Sequence, residues 1–375
     1  MREFDVAIVG AGIAGASLGF RLAGQRSLVL LEAEAQPGYH ATGRSAAMFM
    51  ESYGAPGVRA LTRASRAFYE APPEGFTDSA LLAPRGALYV ATHEHAGLLA
   101  PMQRALLDSG GSVERLDAQA ALALVPCLRP EVVHGALLER DAQDIDVHAL
   151  HQGFLRGLRR EGGTLQVQAR VAGARRDGRG WELRLDDGEA LRAQMVVNAA
   201  GAWADTLAAA CGARPLGVEP RRRSAFTFQA PPGLQVAGWP AVVGIDESWY
   251  FKPDAGRLLG SPANADPTFA HDVVPEELDI ATGIHHIESV STLQIRRPAS
   301  TWAGLRSFVP DGELAIGWDA DCPGFFWLAA QGGYGIQTAA GASALAAALL
   351  LGQPLPEALR RHGVDPATTD PRRLR

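Results

Sequence analysis

Residues 4–32 read FDVAIVGAGIAGASLGFRLAGQRSLVLLE, and no other stretch restricts the fold as much. Phe4 to Val9 is an apolar run of strand length, suited to a parallel strand buried on both faces. Gly10, Gly12 and Gly15 follow in the spacing G-x-G-x-x-G. The first glycine makes a tight turn, the second lets a pyrophosphate approach the backbone, and the third lets helix and strand pack closely. The helix that opens there offers unpaired N–H groups to the anion. Leu28 to Leu31 is a second strand, ending at Glu32. A carboxylate there accepts from a ribose diol and repels a 2′-phosphate. A lone G-x-G-x-x-G is a weak signal. Strand, glycines, helix, strand and acid in this order make a dinucleotide-binding unit at the head of an α/β fold.

With 375 residues, the chain has room for two domains or for one large domain with insertions. Hydrophobic residues make up 47%, enough for a sizeable core, and the formal net charge is −6. Arg221, Arg222 and Arg223 form too short a basic run to track a nucleic acid. No uninterrupted apolar stretch reaches membrane-spanning length, so no integral membrane segment is expected. The first strand begins by residue 4, with Glu3 and Asp5 beside it, which argues against a signal peptide. The expected location is cytoplasmic, with a peripheral position at the inner membrane left open. Cys127, Cys211 and Cys322 lack metal-ligand spacing and read as reduced thiols, Cys322 also as a candidate tether for a cofactor. His285 and His286 have no metal spacing either, and no metal is expected.

The nucleotide unit returns later in the chain. Met195 to Val197 reads as a strand leading into AAGAWAD, and QGGYGIQTAAGASALAAALL, residues 331–350, as a glycine-rich turn feeding a helix. RGALYVATHE and the region from Pro220 to Phe251 read instead as antiparallel strands rich in β-branched and aromatic residues. Trp181 to Leu185 with Asp187-Gly188 reads as half of a small hairpin. His148 to Arg160 reads as a helix capped by Asp146, Asp279 to Val290 as another helix, and Thr368 to Arg375 as a polar tail. The expected division is a discontinuous cofactor domain, 1–82, 140–216 and 305–375, interleaved with a substrate domain, 83–139 and 217–304.

Glycine turns distributed along the chain suit a tightly held extended dinucleotide, a flavin rather than a diffusing nicotinamide. Tyr39 to Phe49 contains Thr42, Gly43, Arg44, Ser45 and Ala46, small polar groups able to line such a cofactor, with Arg44 reading as a ligand for phosphate or for a flanking carboxylate. Arg306 sits in the apolar frame STWAGLRSFVPDG, where an unpaired charge is costly. Its candidate partners are a substrate carboxylate in a bidentate fork and an acid of the protein. Arg223 is a second cavity candidate. Tyr53 and Tyr250 are candidate lids or carboxylate donors.

GAGIAGAS, EAQPGYHATGRSAA, ALHQGFLRG, VNAAGAWAD, RRSAF, KPDAG, LLGSPANADP, TWAGLRSFV and AAQGGYGIQT, in this order, resemble the D-amino-acid oxidase superfamily of FAD-dependent oxidoreductases, and within it the bacterial D-arginine dehydrogenases. The resemblance implies a Rossmann-like FAD-binding domain with an interleaved α+β substrate domain whose sheet is mostly antiparallel. It implies FAD held non-covalently by Gly10, Ala11, Gly12, Ile13, Ala14, Gly15, Glu32 and Ala33. Gly43, Arg44, Ser45, Ala46 and Ala47 follow, then Val171, Ala200, Gly201 and Trp203. Gly332, Tyr334, Gly335, Ile336, Gln337 and Thr338 complete the cofactor set. Arg306, Tyr250 and Arg223 are implied to hold a substrate carboxylate, the Gly333 carbonyl to accept from the α-amine, Tyr53 to close the site, and Gln337 to border flavin or substrate. The implied activity is oxidative deamination of D-amino acids to 2-oxo acids and ammonia, with a quinone or another carrier taking the electrons.

Two positions depart from that pattern. Met48 stands where these enzymes carry a histidine beside the substrate, and Ala87 where they carry a glutamate that meets a guanidinium. Losing such a charge pair costs about 2–5 kcal/mol, and a methionine adds flexible apolar volume. Neutral or apolar D-amino acids are therefore expected to be preferred over D-arginine, unless another acid, Glu51 being nearest in sequence, takes the place of residue 87. Oxidation of a 2-hydroxy acid or a secondary amine such as sarcosine, and a non-catalytic flavin-binding electron-transfer subunit, remain alternatives.

Overall fold

The apolar run before Gly10 becomes the strand Arg2–Val9, centred in an eight-stranded sheet; the computed structural model describes residues 1–375. This strand pairs in parallel with Leu28–Leu31 on one side, Val6 opposite Leu28, and with Ala190–Asn198 on the other. Thr164–Gln166 and Phe325–Ala329 extend the parallel layer outward. The first half of Ala190–Asn198 instead turns into an antiparallel meander with Gly180–Leu185 and Val171–Asp177. Ala315–Trp318 adds antiparallel to Phe325–Ala329.

The helices Ile13–Leu22, Pro56–Glu70, Val147–Arg160 and Gly335–Leu351 pack together on one face of this sheet, around Ile8, Leu18, Leu30, Phe154 and Leu345. Close approach relies on small residues. A Cβ at Gly341 would lie 2.5 Å from the Leu61 carbonyl oxygen, so a glycine there lets Pro56–Glu70 and Gly335–Leu351 touch backbone to backbone. The short helix Ala204–Ala210 packs on the other face, where Trp181 and Trp327 lie in the core.

A nine-stranded sheet forms the second layer. From one edge its order is Asp266–Pro267, Glu219–Phe228, Arg257–Ser261, Tyr250–Asp254, Ala241–Gly244, Ala87–Thr92, Val133–Glu139 and Glu114–Asp117, with Ser300–Phe308 pairing on the other side of Glu219–Phe228. The pairs are antiparallel except Ala241–Gly244 with Ala87–Thr92. One face buries Phe226, Phe251 and Leu258 against Ile287 and Val290 of the helix Glu277–Val290. The other face looks back toward the first sheet. A three-stranded sheet, Met48–Phe49, Gln143–Ile145 and Leu82–Pro84, lies where the chain crosses between the two layers.

The fold is α/β, with a Rossmann-like region and a separate, mostly antiparallel sheet. Several local expectations need correction. Trp181–Leu185 is the middle strand of a meander rather than half of a lone hairpin, since it pairs on both edges. Residues 368–375 are no free tail. Pro371–Leu374 forms a 3₁₀ turn, Arg373 pairs with Asp311 at 2.7 Å, and Arg375 pairs with Asp319 and Asp321. Distant aspartates dock this polar segment, which local patterning cannot show. The expected change of domain at residue 305 falls inside Ser300–Phe308, which pairs along its whole length with Glu219–Phe228; the chain leaves the second sheet only after Phe308. The helix capped by Asp146 begins at Val147, and the Asp146 carboxylate accepts from Ala149 N at 2.8 Å.

Candidate active site

Gly10 has φ +104°, and a Cβ on it would meet the Ala199 carbonyl oxygen at 2.4 Å. A Cβ on Gly15 would stand 1.9 Å from the Gly10 oxygen, so the helix lies directly on the turn. Ala11 N donates to Glu32 Oε2 at 2.9 Å and Glu34 N donates to Oε1 at 3.0 Å. Two backbone donors fix this carboxylate and leave acceptor sites for a ribose diol. Thr42 Oγ1 accepts from Ile13 N at 3.0 Å, tying the Tyr39–Phe49 segment to the helix start. His151, which sequence reasoning missed, is buried beneath the turn. Burial lowers its pKa, and the neutral ring donates from Nε2 to the Ala11 carbonyl at 2.9 Å.

A cavity of about 780 Å³ runs from this turn to Arg306. Gly10, Gly12, Ile13, Ala14, Glu32 and Ala33 line its beginning. Arg44 to Met48, Val171, Ala200, Gly201 and Trp203 line its middle, and Gly332 to Gln337 lie toward the far end. Within that last loop Ile336 lines the cavity, and its carbonyl accepts from the buried Tyr69 hydroxyl, which pins the start of the final long helix. Five residues expected in the site lie outside the lining. Ala11 and Gly15 shape the turn from behind. Gly43 closes a turn through its N–H to the Gly38 oxygen at 2.8 Å. Thr338 turns its hydroxyl back to the Tyr334 oxygen at 2.9 Å. Ala87 is fully buried in its strand, opposite Glu139, so a glutamate at 87 would stand directly across from another carboxylate. Cys322 also lies away from the cavity, packed at the edge of the core around Trp181 and Trp327. It is not placed to tether a cofactor.

Of the two partners read for Arg44, the protein's own carboxylate takes it. Nη2 donates to Asp272 at 2.6 Å, Nη1 to the Val273 and Ala303 carbonyls at 3.0 Å, and Nε to the Tyr39 carbonyl at 3.3 Å. Arg44 therefore joins the cofactor-side loop to the second layer. Glu51 is likewise spent: it pairs with Arg66 at 2.5 Å and does not line the cavity.

Strand alternation arranges the far end. Arg223 and Ala225 face the cavity from Glu219–Phe228, while Arg222 and Ser224 bind Asp279 on the opposite face. Gly304 and Arg306 face inward from the neighbouring strand. Arg306 Nη2 donates to Tyr53 Oη at 3.0 Å, and no carboxylate of the protein pairs with Arg306 or Arg223. Arg223 donates to the Asn264 carbonyl and lies beside Tyr250. Burial, then repulsion from Arg306, pulls the Arg223 pKa down. Burial also works against the Arg306 charge, but the hydroxyls of Tyr53, Tyr250 and Tyr334 outweigh it and its pKa rises. Tyr53 meets Tyr334 edge to face at 5.1 Å, and burial pushes the Tyr334 hydroxyl up to about 12. Gln337 spends its amide on Thr62 Oγ1 at 2.9 Å and the Met50 carbonyl at 3.3 Å, which holds the loop bearing Tyr53.

Gly333 sets the position of Arg306. A Cβ at 333 would fall 1.5 Å from Arg306 Nη2, the free end of a flexible side chain. Gly333→Ala will therefore fold with its cofactor but displace the guanidinium. The expected result is a KM raised at least tenfold with thermal stability within a few degrees of the parent. An unchanged KM would mean that Arg306 does not act through this contact.

The structure adds groups that sequence reasoning missed. Tyr89, Met50, Ala241, Val243, Glu247 and Lys252 line the far end. Lys252 follows Tyr250 by two residues, so strand alternation was the available signal. Glu139 has no cation partner; Ser52 Oγ donates to it at 2.8 Å and so anchors the Tyr53 loop. Burial raises the Glu139 pKa, with Ser52 acting in the opposite direction. A carboxyl raised in the folded state loses stability as pH climbs from its unfolded value near ~4.3 through its folded one. Glu139→Gln keeps an acceptor for Ser52 and removes that loss. Its Tm relative to wild type should rise with pH across this window; a difference independent of pH contradicts the desolvation reading.

The FAD dependent oxidoreductase family model matches residues 5–349. Hydrogen cyanide synthase subunit HcnC of Pseudomonas aeruginosa is 27% identical over 209 residues, covering 55% of this chain and 49% of that protein. The aligned region thus spans about half the length of that curated relative. Glycine oxidase from Geobacillus kaustophilus superposes with a TM-score of 0.84 at 24% identity, covering 99% of this chain and 98% of that one. L-proline dehydrogenase from P. horikoshii gives a TM-score of 0.81 at 18% identity, covering 99% and 98%. No helix is long and apolar enough to cross a membrane.

Proposed function

The chain belongs to the FAD dependent oxidoreductase family, and on that premise we propose that it oxidises free D-amino acids at the α-carbon. The products are a 2-oxo acid and ammonia, released when water hydrolyses the imino acid. The residues fit FAD. The Gly10 to Gly15 turn admits a pyrophosphate, Glu32 is fixed to accept a ribose diol, and the cavity continues past the nucleotide end to the loop Gly332–Gln337. No cysteine lines it, which supports non-covalent attachment. When bound, the flavin supplies the two-electron chemistry by accepting the α-hydrogen as hydride.

One observation carries the substrate assignment: two guanidinium groups, Arg306 and Arg223, face the cavity without a carboxylate of the protein. Such charges are stable when a ligand anion arrives. Arg306 and Tyr250 hold the α-carboxylate, with Arg223 beside them, so that Cα is fixed relative to the ring before reaction. The Gly333 carbonyl accepts from the neutral α-amine, whose lone pair then enters the C=N bond as the α-hydrogen leaves. Tyr53, held by Arg306 and by its loop anchors, closes the site.

Met48, Met50, Tyr89, Ala241 and Val243 surround the side-chain end; Glu51 and residue 87 offer no acid there, and Glu247 stands on the exposed rim, where water screens its charge. Neutral side chains are therefore favoured over D-arginine. The electrons pass to a quinone or another carrier, as in a dehydrogenase working in the cytoplasm or at the surface of the inner membrane. Turnover of a panel of D- and L-amino acids, 2-hydroxy acids and sarcosine, with 2-oxo acid and ammonia measured, tests the substrate. Slow reoxidation of the reduced protein by dioxygen supports a dehydrogenase, and rapid reoxidation an oxidase.

A further inference from the structure

We infer that Lys252 forms a second anion subsite in the substrate cavity, so that amino acids whose side chain ends in a carboxylate are preferred ligands. For turnover this rests on the function proposed above; for binding it stands alone.

Lys252 lies on the strand Tyr250–Asp254, two residues beyond Tyr250. Both line the cavity, while Phe251 between them packs toward the helix Glu277–Val290. The register places Val243 opposite Tyr250 and Val242 opposite Phe251, which puts Lys252 beside Ala241. Ala241 in turn pairs with Ala87. The row through Tyr250 is filled by Val243 and Tyr89. In the row through Lys252 only the small Ala241 borders the cavity; the buried Ala87 lies behind it, and Glu139 beyond is turned to Ser52, with burial working against its charge.

The lysine is 5% exposed, and its one hydrogen bond runs from Nζ to Asp144 Oδ1 at 2.6 Å. An ammonium has three donors. Asp144 is shared, because Arg85 Nε donates to its other oxygen at 2.7 Å. Two cations on one carboxylate leave a net positive charge in a mostly buried place. Asp254 and Arg257 border the adjoining side cavity but are exposed, so water screens their charges. Glu247 belongs to the exposed rim near Tyr334. A buried excess cation with unused donors is stabilised by an arriving anion.

Arg223 does not serve this purpose, because it lies beside Arg306 and Tyr250 and converges with them on the first carboxylate. Lys252 is one row further, and two residues along a strand span about 7 Å. That separation suits the two carboxylates of a four- or five-carbon dicarboxylic amino acid. Ala241 gives the methylenes between them an apolar wall.

The test is a spectral titration of the oxidised holoenzyme with glutarate and with pentanoate, repeated in Lys252→Met and Lys252→Gln. Neither ligand needs to react. Wild type should bind glutarate at least tenfold tighter than pentanoate, and the ratio should fall below threefold in whichever variant retains flavin. The ratio of kcat/KM for D-glutamate over D-leucine should fall in parallel. Equal affinities in wild type, or a glutarate preference that survives the substitutions, overturns the subsite. If the ligand ratios behave as stated while no D-amino acid is turned over, the subsite stands and the proposed reaction fails.

Discussion

Arg306→Ala should reduce kcat/KM by thirtyfold to a few thousandfold. Truncating one partner of a buried, hydrogen-bonded charge pair costs about 2–5 kcal/mol, and each ~1.4 kcal/mol is a factor of ten in rate. In the ligand-free protein the same guanidinium has no acid partner and depresses the pKa of Arg223. Its removal should therefore leave Tm nearly level, because the only protein group that loses a partner is the Tyr53 hydroxyl, whose loop Ser52 and Gln337 still anchor. Arg306→Lys should fall between, keeping the charge but losing the planar fork. Steady-state kinetics together with thermal unfolding checks both halves. A kcat/KM within threefold of wild type, or a large loss of Tm, would place Arg306 in the scaffold rather than at the substrate.

The second large effect separates two glycines that look alike in sequence. A Cβ at Gly15 would stand 1.9 Å from the Gly10 backbone oxygen, and real contacts of this kind essentially never fall under 3.0 Å. Gly15→Ala must push the helix off the strand, so it should lose both flavin content and stability. A Cβ at Gly12 would meet only Thr42 Oγ1, at 3.2 Å. Gly12→Ala should therefore keep the fold and fill the space that a pyrophosphate needs. The expected result is a folded, nearly colourless protein with FAD affinity down at least tenfold. Flavin-to-protein ratio and Tm measured with and without added FAD distinguish the two. Gly12→Ala with normal flavin content would remove the pyrophosphate from this turn.

These predictions indicate which parts of the molecule were legible in its residues. The strand, glycines and Glu32 act within about thirty residues, and local periodicity carries them. For Arg306 the residues showed only that a lone cation in an apolar strand needs a partner; the fold gives it the Tyr53 hydroxyl and no acid of the protein. What the residues did not disclose depended on partners far away in the chain. Arg44 takes Asp272, 228 residues on, and Lys252 takes Asp144, 108 residues back. Glu139 reaches Ser52 across 87 residues to anchor the Tyr53 loop. Glu51 looked available because it is near Met48 in sequence, but Arg66, one helix away, holds it. Ala87 faces a strand neighbour rather than open space, a fact of register and not of composition. Strand alternation from Tyr250 was the one local signal for Lys252, and the pairing that makes it a half-neutralised cation appears only in the fold.

The most direct test of the account is anaerobic mixing of the purified yellow protein with single amino acids while the visible flavin absorbance is followed. Neutral D-amino acids should bleach it in one rapid phase, D-arginine should do so poorly, and Arg306→Ala should slow the bleaching with every substrate. A protein isolated without flavin, or a flavin that no amino acid of either hand reduces, contradicts the central claim that the two unpaired arginines hold an amino acid against the cofactor.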